Sequence, residues 1–239
     1  MYLMSTFLAI LMKNSNYGVI LPSHISYEPI SEEAFKASCY LLLMDIERLV
    51  AWAFGESHGT SVHFTPDREE EWIGSEEQQV KLFASEFWKT MNPVYAYAER
   101  GEQGNMMHDD TLGYLVQVLP AVFGIREYNG EVDWVCETLI YKALARLKLD
   151  TGRDLDEDEV EVELVTYCSG WLPLAHHKHL TLQEMAILAG AKNIRSIRNA
   201  TYDKKNPLRV IKENRNVLVT VEEAKRWLAQ KSKFIPSPC

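Results

Sequence analysis

The 239-residue chain is poor in the residues that carry the common chemistries. It holds four cysteines, Cys39, Cys136, Cys168 and Cys239, with no CxxC pair and no spacing suited to zinc or to a disulfide framework, so a reducing, cytoplasmic setting is expected. There is no GxxxxGK[ST], no GxGxxG after a strand, no GxSxG and no HExxH, which leaves phosphate-loop, dinucleotide, serine-hydrolase and zincin chemistry without a sequence basis. The chain is therefore read as non-enzymatic and free of cofactors. The longest apolar opening, "MYLMSTFLAILM", lacks a basic leader and is too short to span a bilayer, so it reads as a core element with no membrane partner; a signal peptide and a true start at Met12 are the alternatives.

What is present is a core-forming composition, 46% hydrophobic, and a strongly uneven charge. The whole chain carries 25 basic and 34 acidic side chains, a net of −9, which alone argues against a nucleic-acid partner. From Leu180 onward, however, 12 Lys and Arg face five acids, a local net of +7, and the preceding residues carry 13 against 29, a net of −16. A basic terminal block on an acidic body is the arrangement expected where one part meets phosphates and the other does not. Three parts are expected: a helical body over residues 1–150, an acidic linker over 151–179, and a basic domain over 180–239. In the linker seven of the ten residues from Asp154 to Glu163 are acidic, a solvated face or a mimic of a phosphate backbone.

The body reads as mainly helical. "SEEAFKASCYLLLMDIERLVAWAF" has Ser31 as a cap, two glutamates in its first turn, and Phe35, Leu42, Ile46, Leu49 and Val50 on one stripe. After the loop "GESHGTSVHFTPDREEEWIG", Ser75 and Gln78 form a capping box for a helix burying Val80, Phe83, Phe87, Trp88 and Met91, which Pro93 bends or ends. Beyond "ERGEQGNMMHDD", a third helix is expected around Leu112, Leu115, Val116 and Val118. A fourth lies in "EVDWVCETLIYKALARLKL", with Val135, Leu139, Leu144 and Leu147 inward.

Candidate reactive residues are few. "AHHKH" places His176, His177 and His179 beside one another, yet sequence neighbours rarely converge on one metal ion, and no metal site is expected. "MHDD" at 107–110, with His58 and His63, offers an imidazole–carboxylate alternative, although Asp109 or Asp110 serves equally as a helix cap. Trp52, Trp72, Trp88, Trp134 and Trp171 line either a pocket or, at helical spacing, the core.

The informative stretch is "LTLQEMAILAGAKNIRSIRNATYDKKNPL". Thr181 with Glu184 is a capping box, so a short helix begins there and buries Leu182, Met185, Ala186 and Ala189 in some combination, and Gly190 stops it. A second short helix over 193–201 turns Ile194 and Ile197 toward the first and leaves Asn193, Arg195, Ser196, Arg198 and Asn199 outward, the layout of a helix-turn-helix. That outer face suits base edges and phosphates: arginine grips guanine O6 and N7, and asparagine does the same for adenine. Lys192, Lys204 and Lys205 flank it. "LRVIKENRNVLVT", 208–220, then reads as a hairpin with Val210, Val217 and Val219 packed, and with Arg209, Lys212, Arg215 and Asn216 available to a backbone. "VEEAKRWLAQK" closes the unit as a helix with Ala224, Trp227 and Leu228 inward and Glu222 and Glu223 at its positive end.

In this order of parts, "LTLQEMAILAG", "NIRSIRNA", the hairpin and "VTVEEAKRWLAQK" resemble the winged helix-turn-helix of the excisionase and MerR-like DNA-binding group. The resemblance covers about a quarter of the chain and departs from the group in a wing turn without glycine and a C-terminal placement. It implies that Arg195, Ser196, Arg198 and Asn199 lie on a recognition helix and Lys212 and Arg215 on a wing. The fold class expected is thus mainly α: a helical N-terminal domain and a C-terminal winged helix-turn-helix with a small β-hairpin. The function expected is sequence-specific binding of double-stranded DNA by a homodimeric prokaryotic or phage-type transcriptional regulator. The alternative is a non-enzymatic adaptor whose helix-turn-helix binds a protein.

Overall fold

The computed structural model describes residues 25–53, 72–104, 135–152, 179–213 and 216–238. Among them the protein is mainly helical with one small antiparallel sheet of three strands. The expected third helix around Leu112 to Val118 and the acidic run from Asp154 to Glu163 lie outside the described residues.

Helix α1 (Glu32–Ala53) starts where Ser31 accepts from the amide of Ala34, as its sequence dictates. Phe35, Ser38, Cys39, Tyr40, Leu42 and Met44 are buried along it, while Val50, expected on the inward stripe, is 49% exposed. The capping box of Ser75 and Gln78 is formed and opens α2 (Glu76–Ala84). Pro93 neither ends nor interrupts the helical run beyond it. The break comes at Ser85, whose extended backbone closes α2 and opens α3 (Glu86–Arg100): its hydroxyl donates to the Leu82 carbonyl at 2.7 Å and accepts from the Trp88 amide at 3.1 Å. A residue able to satisfy orphan groups on both sides makes the interruption cheap. Pro93 sits inside α3, whose face of Met91, Val94, Tyr95, Tyr97 and Ala98 is buried. On α2 it is Leu82 that is buried, while Val80 is 65% and Phe83 38% exposed, against expectation.

Helix α4 (Val135–Thr151) lies at the centre, against α1, α3 and the C-terminal elements. Every residue from Cys136 to Leu149 is buried, polar ones included. Its charged groups have partners inside: Lys142 Nζ lies 2.6 Å from Glu99 Oε2, and the Arg146 guanidinium donates to the carbonyls of Ala98 at 3.2 Å and Ile235 at 2.7 Å. Burial lowers the affinity of Lys142 for its proton, and Glu99 opposes that shift. Tyr97 donates to Asp150 at 2.8 Å, and burial together with this carboxylate raises the pKa of its phenol.

Beyond α4 come β1 (Leu180–Thr181), α5 (Leu182–Leu188), α6 (Ile194–Ala200), β2 (Ile211–Glu213), β3 (Asn216–Val219) and α7 (Val221–Leu228). The strand order is β1-β3-β2, with Leu180 opposite Val219, Thr181 opposite Leu218, and Ile211 opposite that same Leu218. Strand β1, two residues long, has no periodic signature of its own and owes its conformation to pairing with β3. Leu180, Met185, Ile187, Leu188, Ile197, Leu208, Val219, Ala224, Trp227 and Leu228 form the local core. That core is continuous with α4, which packs on β1, α5 and α7.

Candidate nucleic-acid interface

The two short helices α5 and α6 are placed by local chemistry. Thr181 Oγ1 accepts from the Glu184 amide at 3.1 Å, and Glu184 Oε2 accepts from the Thr181 amide at 2.6 Å, so the capping box closes in both directions. Gly190 ends the turn with φ +58°, a left-handed conformation; a Cβ there would also lie 3.0 Å from Lys233 Cδ and 3.1 Å from Pro29 Cγ. Asn193 then caps α6, its Oδ1 accepting from the Ser196 amide at 3.1 Å.

Helix α6 is anchored by one side. Ile197 is 2% exposed and Ile194 half-buried, while Arg195, Ser196, Arg198 and Asn199 are exposed, as the residue pattern requires. Lys192 and Asn193 lie exposed at the start of this face, and Lys204 and Lys205 are exposed just beyond its end. The Asn193 side chain is engaged as a cap, so its carbonyl is spent on α6 and its amide nitrogen is what remains for a ligand. Tyr202, which composition and charge did not single out, is 85% exposed one residue past the cap Thr201. The signal was its position: an aromatic among polar and basic neighbours has no apolar partner at helical spacing.

The connector and hairpin are held by a compact network. Asp203 Oδ1 accepts from the Lys205 amide at 2.8 Å, which shapes the turn carrying both lysines. Arg226 donates to Asn206 Oδ1 at 2.7 Å, to the Pro207 carbonyl at 2.9 Å and through Nε to Glu223 Oε2 at 2.7 Å. Glu223 in turn accepts from the Arg209 amide at 2.8 Å, fixing the entry to the hairpin while the Arg209 side chain stays exposed. The Arg226 guanidinium holds the Glu223 carboxyl below the usual range. In the hairpin Lys212 is exposed opposite Val217, and Asn216 is half-buried opposite Glu213. Of the expected packing residues Val219 is buried and Val210 and Val217 are half-buried; Leu218 is buried as well. Arg215 lies outside the described residues.

The basic residues of this region divide by what they touch. Arg226 is bound into the network above, Lys233 donates to the Gly190 carbonyl at 3.1 Å, Lys225 reaches the Asp150 carbonyl at 3.5 Å, and Lys231 lies 3.8 Å over the Trp227 ring. Lys192, Arg195, Arg198, Lys204, Lys205 and Lys212 take part in no salt bridge among the described residues. Lys225, Arg226 and Lys233 are exposed as well, and the six residues without an ion pair offer donors suited to oxygen acceptors and anions.

Comparison with known proteins returns no matching family model, no matching curated protein and no matching solved structure.

Two of the candidate tryptophans are packing residues of the body: Trp88 stacks on Phe35 with centroids 5.1 Å apart, and Trp72 lies 5.4 Å from Tyr40. His179 Nε2 is 3.9 Å from Glu213 Oε1. His58, His63, the segment 107–110, His176, His177, Trp134, Trp171, Cys168 and Cys239, and the Trp52 side chain, lie outside the described residues. Among the described residues no group of three metal-ligating side chains converges, and no helix is long and apolar enough to cross a membrane.

Proposed function

We propose that the C-terminal region from Leu180 binds double-stranded DNA in a sequence-specific way, as a winged helix-turn-helix in a prokaryotic or phage-type transcriptional regulator. The observation that carries this reading is the two-sidedness of α6: Ile197 is 2% exposed while Arg195, Ser196, Arg198 and Asn199 all face solvent on a helix of seven residues. A helix of this diameter fits the major groove, and these side chains match the donor and acceptor pattern of guanine and adenine edges. Lys212 and Arg215 hold phosphates from the hairpin; Lys192, Lys204, Lys205 and Arg209 add contacts along the flanking backbone, and Asn193 and Asn216 add polar ones. A pairing of β1 with the hairpin supports the reading, because it ties the wing to the start of α5 and makes the reading helix and the wing one unit.

One short recognition helix and one wing meet too few base pairs for tight specific binding, so the regulator acts as a homodimer through its helical body. No step of this function calls for catalysis or a cofactor. Selection of bound sequences from random duplex DNA tests it: enrichment of a pseudo-palindromic site is expected, and its half-site spacing reports the dimer. A folded protein that enriches nothing at low salt overturns DNA binding and leaves the exposed face of α6 to a protein partner.

A further inference from the structure

Cys39 on α1 and Cys136 on α4 are 97 residues apart in sequence, yet their sulfurs are 3.8 Å apart. Both side chains are fully buried and neither is in a disulfide. The buried hydroxyl of Ser38 lies 3.3 Å from Cys136 Sγ, and either group can donate to the other. A separation of 3.8 Å is contact distance, and a disulfide forms from it when rotation about the two Cα–Cβ bonds and an approach of the helices bring the sulfurs to roughly 2.05 Å.

We propose that Cys39 and Cys136 are a dithiol that peroxide closes into a disulfide, joining α1 to α4. A peroxide molecule is small and uncharged, so local opening admits it where a bulky oxidant is excluded. On opening, Cys136 attacks one peroxide oxygen as its thiolate: an S–O bond forms, the O–O bond breaks, and the departing hydroxide leaves as water with the thiol proton. The Cys39 thiolate then attacks the Cys136 sulfur; the S–S bond forms, the S–O bond breaks, and the second hydroxide leaves as water with the proton of Cys39. Two thiols are oxidised and one peroxide is reduced to two waters. The closed loop restricts the unfolded chain, so the oxidised protein melts at a higher temperature than the reduced one.

The test uses the full chain carrying Cys168→Ser and Cys239→Ser, which leaves two of the four cysteines. The folded protein is treated with hydrogen peroxide, denatured, titrated for free thiols and mapped by peptide mass spectrometry; the unsubstituted chain is mapped in parallel, so that the result stands if the variant folds poorly. Loss of both thiols, one peptide pair joined through Cys39 and Cys136 and lighter by two hydrogens, and reversal by dithiothreitol are expected. Intact thiols in the folded protein, or separate sulfinic acids at the two cysteines with no joined peptide, overturn the proposal.

Discussion

Lys148 Nζ of α4 lies 3.3 Å from each carboxylate oxygen of Glu184, the residue that closes the capping box of α5. Both side chains are nearly buried, at 6% and 9% exposure. One carboxylate therefore performs two tasks: it satisfies the Thr181 amide at the start of the first helix of the basic region, and it neutralises a lysine from the body's central helix.

Removing one member of this pair strands the other. Lys148→Ala should cost about 3 to 5 kcal/mol, because a buried carboxylate is left without its counter-charge. The pair Lys148→Met with Glu184→Gln should recover most of that loss, since glutamine can still accept from the Thr181 amide while no charge remains to be desolvated. Urea unfolding of the three proteins checks both statements, and a single mutant as stable as the parent contradicts them.

Gly190→Ala tests the turn between α5 and α6. A left-handed backbone costs a residue with a Cβ about 1 to 2 kcal/mol, and the contact with Pro29 Cγ at 3.1 Å adds to it. The expected outcome is a lower unfolding midpoint. A midpoint within error of the parent would mean that the turn relaxes freely.

Acid should loosen the connector before it unfolds the body. Arg226 lowers the pKa of Glu223, so the stabilisation is complete above the ordinary glutamate value of about 4.3 and is lost as pH falls through the lower folded value. Melting temperatures measured from pH ~6 to ~3 should decline less steeply for Glu223→Gln than for the parent. Parallel curves would remove Glu223 from the account.

How much of this could be read from the sequence depended on how local the deciding interaction was. Ser75 with Gln78 and Thr181 with Glu184 bond within one turn, so their caps were legible, as was the two-sided pattern around Ile197. Pro93 does not end its helix, because intrinsic helix-breaking is outweighed by packing, while an interruption falls at Ser85, whose hydroxyl serves two helix ends. Helix α4 shows no clean amphipathic stripe because it is surrounded; its Lys142, Arg146 and Lys148 are buried and find partners on α3, the C-terminal tail and α5, none of them within reach of a local pattern. The approach of Cys39 to Cys136 and the pairing of β1 with β3 are likewise products of tertiary contact, invisible to any local pattern.

On DNA the two kinds of contact should separate. If they read bases as proposed, Arg195→Ala or Asn199→Ala should cost about 1 to 3 kcal/mol on the selected site and little on random duplex. Lys212→Ala or Arg215→Ala should weaken both duplexes alike. Ile197→Asp, which buries a charge beneath α6, is the control that unfolds the region and abolishes all binding. Fluorescence anisotropy with the two duplexes resolves the three patterns.

The most direct measurement is the salt dependence of affinity for the selected duplex. Neutralised phosphates release counterions, so log K should fall linearly with log salt at roughly −0.9 per phosphate contacted, and Lys212→Ala should flatten the slope by about one unit. A folded protein that does not bind duplex DNA at low salt, or binds it with a slope near zero that Lys212→Ala leaves unchanged, contradicts the account.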